Sequence, residues 1–169
     1  FSQYAPLALM NIALIAEMRK DSELAIDALD RLINDYPQSM LAPDAYYNLA
    51  ETYASLVNGK EYDQGATREA IRYFEDFLIL FPQNEYAAKV EQRIDELQTL
   101  EAESRFQLGE FFYLYHSNAT AALVFYNETL SLAPNSDLAK QAEARIADIN
   151  EGIRAKTAAS FVRRLLFIQ

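Results

Sequence analysis

One four-residue phrase is written three times along the chain, as Tyr36-Pro37-Gln38-Ser39, Phe81-Pro82-Gln83-Asn84 and Ala133-Pro134-Asn135-Ser136. The residues ahead of each proline repeat as well. Twelve positions ahead lie Ala25, Ala70 and Ala122, and eleven ahead Ile26, Ile71 and Leu123. Eight ahead lie Leu29, Phe74 and Tyr126, and four ahead Ile33, Leu78 and Leu130. These offsets trace one face of an α-helix. Proline cannot donate to the helical ladder and pushes the residue before it out of the helical region, so each phrase ends a helix. Five positions beyond stand Ala42, Ala87 and Ala139, small enough for a following helix to approach closely. The prolines are 45 and 52 residues apart, and self-similarity at such a period marks helices stacked as a solenoid.

The repeating unit is a pair of helices. Leu49-Ala50 with Tyr53, and Leu108-Gly109 with Phe112, supply a large, small, aromatic pattern upstream of the second and third phrases, suited to a first helix packing on its partner. Ile12-Ala13 with Ala16 is a weaker version ahead of the first. The unit resembles the tetratricopeptide repeat, a helix pair about 34 residues long that ends in proline. The expected fold is all-α: a tetratricopeptide-like helical-repeat solenoid, or α-α superhelix, with a C-terminal capping helix. Its pairs fall at about residues 6–40, 41–84 and 85–136, with a further helix up to about 150 and a basic amphipathic helix over 151–169. Asn58 to Gly65 reads as an inserted loop between helices. From Asn84 to about Tyr115 the apolar residues keep near-helical spacing, which predicts one long helix or two abutting ones.

Composition agrees and excludes several functions. With 51% hydrophobic residues and only 4 Gly and 5 Pro in 169, the chain has the apolar content for a core and too few breakers for disorder. A formal charge of −10 opposes nucleic acid as a partner, because counterion release needs clustered Lys and Arg. Cysteine is absent, which removes disulfides, thiolate nucleophiles and thiolate metal sites together. His116, the single histidine, stands beside Ser117 and Asn118 at a predicted helix end and reads as a turn or surface residue. Acidic pairs such as Asp27 with Asp30, Asp95 with Glu96 and Glu101 with Glu103 read as a solvated face, with Arg93 and Arg105 at helical reach. The glycines at 59, 65, 109 and 152 form no phosphate cradle, and the glycosylation-type triplets at Asn118 and Asn127 are patterns common by chance. No catalytic residue, metal or cofactor is expected, and the chain reads as a non-enzyme. No apolar run reaches the length of a membrane span, and the opening at Phe1, without initiator Met or signal peptide, suits a mature fragment.

Surface is what remains. First helices of stacked pairs line a concave face, and such faces bind extended partners. With Leu49-Ala50 and Leu108-Gly109 taken as buried, the groove-facing residues are Asp44, Tyr47 and Glu51 in the second pair, and Glu103, Phe106, Glu110 and Tyr113 in the third. Rings there supply anchor area and carboxylates steer a segment carrying Lys or Arg. The rival reading packs Tyr47 and Phe106 under neighbouring helices. Equivalent positions in the first pair are Leu7, Met10 and Leu14, an apolar end face that meets further repeats or another chain. The tail has the opposite sign: residues from Glu151 onward carry +3, against −13 for the first 150. Phe161, Leu165 and Ile168, with Val162 and Leu166, form an apolar stripe edged by Arg163 and Arg164. That helix either caps the last repeat or docks in a partner's groove or at an anionic lipid surface.

The position five ahead of each proline, usually small in the tetratricopeptide pattern, holds Leu32, Phe77 and Thr129. SELAIDALDRLINDYPQSMLAPDAYYNLAETY and EAIRYFEDFLILFPQNEYAAKVEQRIDEL thereby resemble the BamD family, lipoproteins of the bacterial outer-membrane β-barrel assembly machinery. Leu100-Glu101-Ala102-Glu103, Gly109-Glu110-Phe111-Phe112-Tyr113 and Ala121-Ala122-Leu123 extend the resemblance, which spans roughly residues 20 to 150. It departs at the Asn58 to Gly65 insertion and in FFYLYHSNAT, where the family has a basic, glycine-containing turn. The resemblance implies the C-terminal portion of a non-catalytic scaffold at the periplasmic face of the outer membrane. It implies membrane attachment only through a lipid anchor absent from this fragment. Its implied partners are proteins, the β-barrel insertase subunit and accessory lipoproteins. A general helical-repeat adaptor of the bacterial envelope, of the cell-division-coordinator kind, shares the same punctuation and is the alternative.

Overall fold

Each proline phrase stops a helix two residues early. The computed structural model describes residues 3–57 and 64–152. Its helices are α1 (Ala5–Met18), α2 (Ser22–Asp35), α3 (Ala42–Val57), α4 (Gln64–Leu80), α5 (Ala87–Leu114), α6 (Ala119–Leu132) and α7 (Asp137–Asn150), and no strand occurs among the described residues. After α2, α4 and α6 the chain turns identically. The carbonyl ahead of the proline accepts from the N–H three residues on, Tyr36 from Ser39 at 2.9 Å, Phe81 from Asn84 at 3.0 Å and Ala133 from Ser136 at 3.1 Å. The small polar residue that closes the turn then accepts from the backbone of the next helix start: Ser39 Oγ from Leu41 at 3.2 Å, Asn84 Oδ1 from Tyr86 at 2.9 Å and Ser136 Oγ from Ala139 at 3.1 Å. Proline presets the turn and the polar side chain satisfies an N–H that the helix leaves orphaned, so each residue of the phrase has a separate cause.

The stripe ahead of each proline is the core. Ala25, Ala70 and Ala122, then Leu29, Phe74 and Tyr126, then Leu32, Phe77 and Thr129, are all 0% exposed. A large apolar side chain taken from water to such a site stabilises by about 1.5–3 kcal/mol. Thr129 escapes the usual cost of a buried hydroxyl because its Oγ1 donates to the Phe125 carbonyl at 2.9 Å, one turn back. The sequence therefore folds as adjacent antiparallel-connected helix pairs of the tetratricopeptide-like helical-repeat class.

Two compact units divide the chain between Leu97 and Gln98. In the first, α1 packs on α2, α2 on α3 and α3 on α4, around a core that runs from Leu9 to Leu97. In the second, α6 packs on α7, and Tyr113, Ala122, Tyr126 and Ala142 form the core with Phe106 and Ile146 beside it.

Several expectations are corrected or resolved. The long approach to the third phrase is a single helix, α5. Gly65 lies inside α4 and not in the inserted loop, because Ala66 and Thr67 are already buried and carry the helix beyond the repeating stripe. Ile12 is exposed while Ala13 and Ala16 are buried, so of the Ile12-Ala13-Ala16 pattern only the small residues face the core, where Leu9 and Met10 join them. The expected C-terminal helix, with Phe161, Arg163, Arg164 and Leu165, lies outside the described residues.

Candidate interaction face

In the first unit, Tyr47 and Glu51 stand one turn apart on α3, and the Tyr47 hydroxyl donates to Glu51 Oε1 at 2.9 Å. Arg93, on α5, forks onto the same carboxylate, Nε to Oε1 at 3.0 Å and Nη2 to Oε2 at 2.9 Å, and its Nη1 reaches Glu96 at 2.5 Å. The Tyr47 ring stacks on Tyr86 with centroids 5.2 Å apart, leans on Phe74 at 5.9 Å, and has Lys89 Nζ 4.9 Å above its centre. Burial raises the Tyr47 phenol above its ordinary value, opposed by Lys89 and supported by Glu51. Asp44 is half-buried in the first turn of α3, where the helix dipole favours a carboxylate.

The second unit repeats the arrangement. Glu110 accepts from the Tyr126 hydroxyl at 2.7 Å and from Arg145 Nε at 2.6 Å and Nη2 at 3.1 Å. Arg145 Nη1 also lies 3.9 Å from Asp148. Burial first, and then the hydrogen bond to Glu110, drives the Tyr126 phenol far above its ordinary value. Gly109 admits the Tyr126 ring: a Cβ there would lie 2.6 Å from Tyr126 Cε1. The small residue of the repeat pattern is therefore a steric requirement at this point. Further along α5, Arg105 bonds Glu101 at 3.1 Å and approaches Glu128 at 3.3 Å.

Several of the residues expected to face a groove are committed elsewhere. Glu51 and Glu110 are held in paired guanidinium forks. Tyr47 and Phe106 are half-buried against their cores, Phe106 with its ring 5.6 Å from Tyr126, and Tyr113 is only 6% exposed. Glu103 is exposed, and neither it nor Asp44 makes an ion pair among the described residues. On the apolar end face Leu7 and Leu14 are 52% and 43% exposed, but Met10 is buried, with Asn48 Nδ2 at 3.7 Å from its sulfur. Met10 turns inward because α3 covers that part of α1. His116 is exposed at the end of α5, its ring against Phe111 at 4.6 Å. No group of three or more His, Cys, Asp or Glu among the described residues is placed to hold a metal ion, and no described helix is long and apolar enough to cross a membrane.

Arg93 and Arg145 were not singled out as a pair from the sequence, although a signal existed. Each stands eleven residues beyond its proline, with an acid three residues later, and each reaches the glutamate that follows the small residue of an earlier first helix. In the first pair Leu14 occupies the glutamate position and Asn48 the arginine position, which leaves that register without a fork.

Helix pairs with proline turns and two Glu-Tyr-Arg clasps define a protein of the tetratricopeptide-like helical-repeat class. The YfiO family model, described as outer membrane lipoprotein, matches residues 1–131, and the chain belongs to that family. It is similar to the outer membrane protein assembly factor BamD of Rickettsia prowazekii, 32% identical over 108 residues that cover 64% of this chain and 43% of that protein. It is also similar to the protein of the same name from Caulobacter vibrioides, 30% identical over 99 residues that cover 59% of this chain and 32% of that protein. The chain spans less than half the length of these curated relatives.

Proposed function

We propose that the chain is a non-catalytic scaffold that takes part in outer-membrane β-barrel protein assembly through protein–protein contacts. In this reading it acts at the periplasmic face of the outer membrane. The observation that carries it is family membership over residues 1–131, joined to similarity with two assembly factors. The side chains are consistent with such a role, since the polar residues described above hold helices to one another and leave Asp44 and Glu103 for encounter with a basic segment. Three repeats, at about residues 6–40, 41–84 and 85–136, belong to the same proposal. Among its partners are the insertase subunit and accessory lipoproteins of the machinery. A tagged chain captured from envelope extract tests it. Recovery of a barrel-assembly subunit, weakened several-fold by the double reversal Asp44→Lys and Glu103→Lys, is expected. Recovery of cytoplasmic proteins alone defeats the reading.

A further inference from the structure

Where α1 meets α3 the clasp is gone and the polarity of the repeat is reversed. The later registers set a glutamate across from an arginine, Glu51 with Arg93 and Glu110 with Arg145, and this one sets Leu14 and Asn48. Asn48 still reaches across to α1, since its Nδ2 lies 3.7 Å from the sulfur of Met10, which stands at the register of Tyr47. One turn further on, the exchange runs the other way. Three residues beyond Glu51 and Glu110 stand Ala54 and Tyr113, and four beyond Arg93 and Arg145 stand Leu97 and Ile149, aliphatic or aromatic side chains that are buried or half-buried. The first register holds Glu17 and Thr52 at those positions. The fold fills them twice without a charge, so packing does not call for a carboxylate and a hydroxyl there.

These two polar residues line a groove. Thr52 is only 6% exposed, and its hydroxyl has one proton to share between the Asn48 carbonyl at 2.8 Å and Glu17 Oε1 at 3.1 Å. Glu17 makes no other side-chain hydrogen bond and no ion pair among the described residues, and neither does the Lys20 ammonium, three residues on. With Asn48 and Ser55 they surround a volume of about 520 Å³, a size in the range of ligand sites. Glu51 lies at its edge but is already held by Arg93. The groove therefore offers one uncommitted carboxylate and one uncommitted ammonium.

We propose that this groove takes an arginine side chain from a partner protein segment, forked onto Glu17 as Arg93 is forked onto Glu51, while an acid about one helical turn from that arginine meets Lys20. The chain itself shows the pattern of the guest. Arg93 is followed three residues later by Glu96 and Arg145 by Asp148, each within ion-pair reach of its arginine, so an Arg-x-x-acid segment is laid onto a first helix twice within the molecule. A guanidinium suits the site better than a lysine ammonium, because its planar fork can give a carboxylate two parallel bonds. The assignment stands on the groove and not on the assembly role, so the failure of either leaves the other standing.

The probe is the peptide acetyl-Ala-Arg-Ala-Ala-Glu-Ala-amide, titrated at low salt into the full chain while backbone amide NMR signals are followed. Saturable shifts are expected at Asn48, Thr52 and Ser55. Binding should weaken at least about ten-fold for Glu17→Gln, and as much for a peptide in which citrulline, uncharged and of the same shape, replaces arginine. Equal binding by the citrulline peptide or by Glu17→Gln overturns the proposal, as does the absence of a saturable shift. Shifts centred on Asp44 or Glu103 overturn it in favour of the encounter surface proposed above. A second variant separates a ligand site from a structural contact. Glu17→Ala with Thr52→Leu copies the register of Ala54 and Leu97, and is expected to raise the melting midpoint by about 2–5 °C while the peptide no longer binds. A lower midpoint would show that the polar pair serves the fold, and the proposal would fall.

Discussion

Arg93 and Arg145 stand at one register and make one contact. Each guanidinium forks onto a glutamate that also receives a tyrosine hydroxyl, Glu51 from Tyr47 and Glu110 from Tyr126. Each carboxylate accepts three bonds, two charge-assisted from the guanidinium and one from the phenol, which is why it tolerates partial burial. Arg145→Ala leaves Glu110 with the Tyr126 hydroxyl alone. We expect a loss of about 1–2 kcal/mol, discounted from a fully buried pair because Arg145 keeps 38% of its side chain in solvent. A double-mutant cycle with Glu110→Gln in urea unfolding should return a coupling of roughly 1 kcal/mol. Coupling near zero would mean that the fork contributes only its geometry.

At the scale of one element, α1 ends at a cost. Lys20 adopts φ 59, with its N–H on Glu17 at 3.0 Å and the next N–H, from Asp21, on Ala16 at 2.9 Å. This is the left-handed closure that glycine makes freely and a side chain makes with strain. Lys20→Gly should raise stability by roughly 0.5–1 kcal/mol and the melting midpoint with it, and an unchanged or lower midpoint would place the strain elsewhere. Helix ends of this kind explain what could be read from the sequence and what could not. The prolines, the alanine ahead of them and the large residues between wrote α2, α4 and α6 openly, because helical periodicity and proline act locally. Gly65 misled because its turn propensity is local while the burial of Ala66 and Thr67, which extends α4, is not. The face was legible only in part. Glu51 and Glu110 were picked out by their place beside a small residue, but their arginine partners lie 42 and 35 residues away, and no local pattern announces a fork across helices.

For the molecule as a whole, the clearest consequence is a dependence on alkaline pH. Tyr46, Tyr47, Tyr53, Tyr73, Tyr113 and Tyr126 all hold their phenol protons above the ordinary value of 10.0, with burial the leading cause in each. Below about pH 9 both folded and unfolded chains keep these protons, and stability is independent of them. Above pH 10 the unfolded chain releases them while the folded chain does not, so the unfolded state binds fewer protons and stability falls as pH rises. Tyr126 shifts furthest, because Glu110 adds its charge to the burial. Urea midpoints measured from about pH 7 to 11 should therefore be flat to about 9 and then drop. Each such tyrosine contributes up to about 1.4 kcal/mol per pH unit between its unfolded and folded titration. Tyr126→Phe should remove one such increment from the alkaline slope, at the expense of a lower plateau from the lost bond to Glu110. A slope unchanged by the substitution would show that Tyr126 titrates as an ordinary phenol, and the tight packing of its ring on Gly109 would then not extend to its hydroxyl.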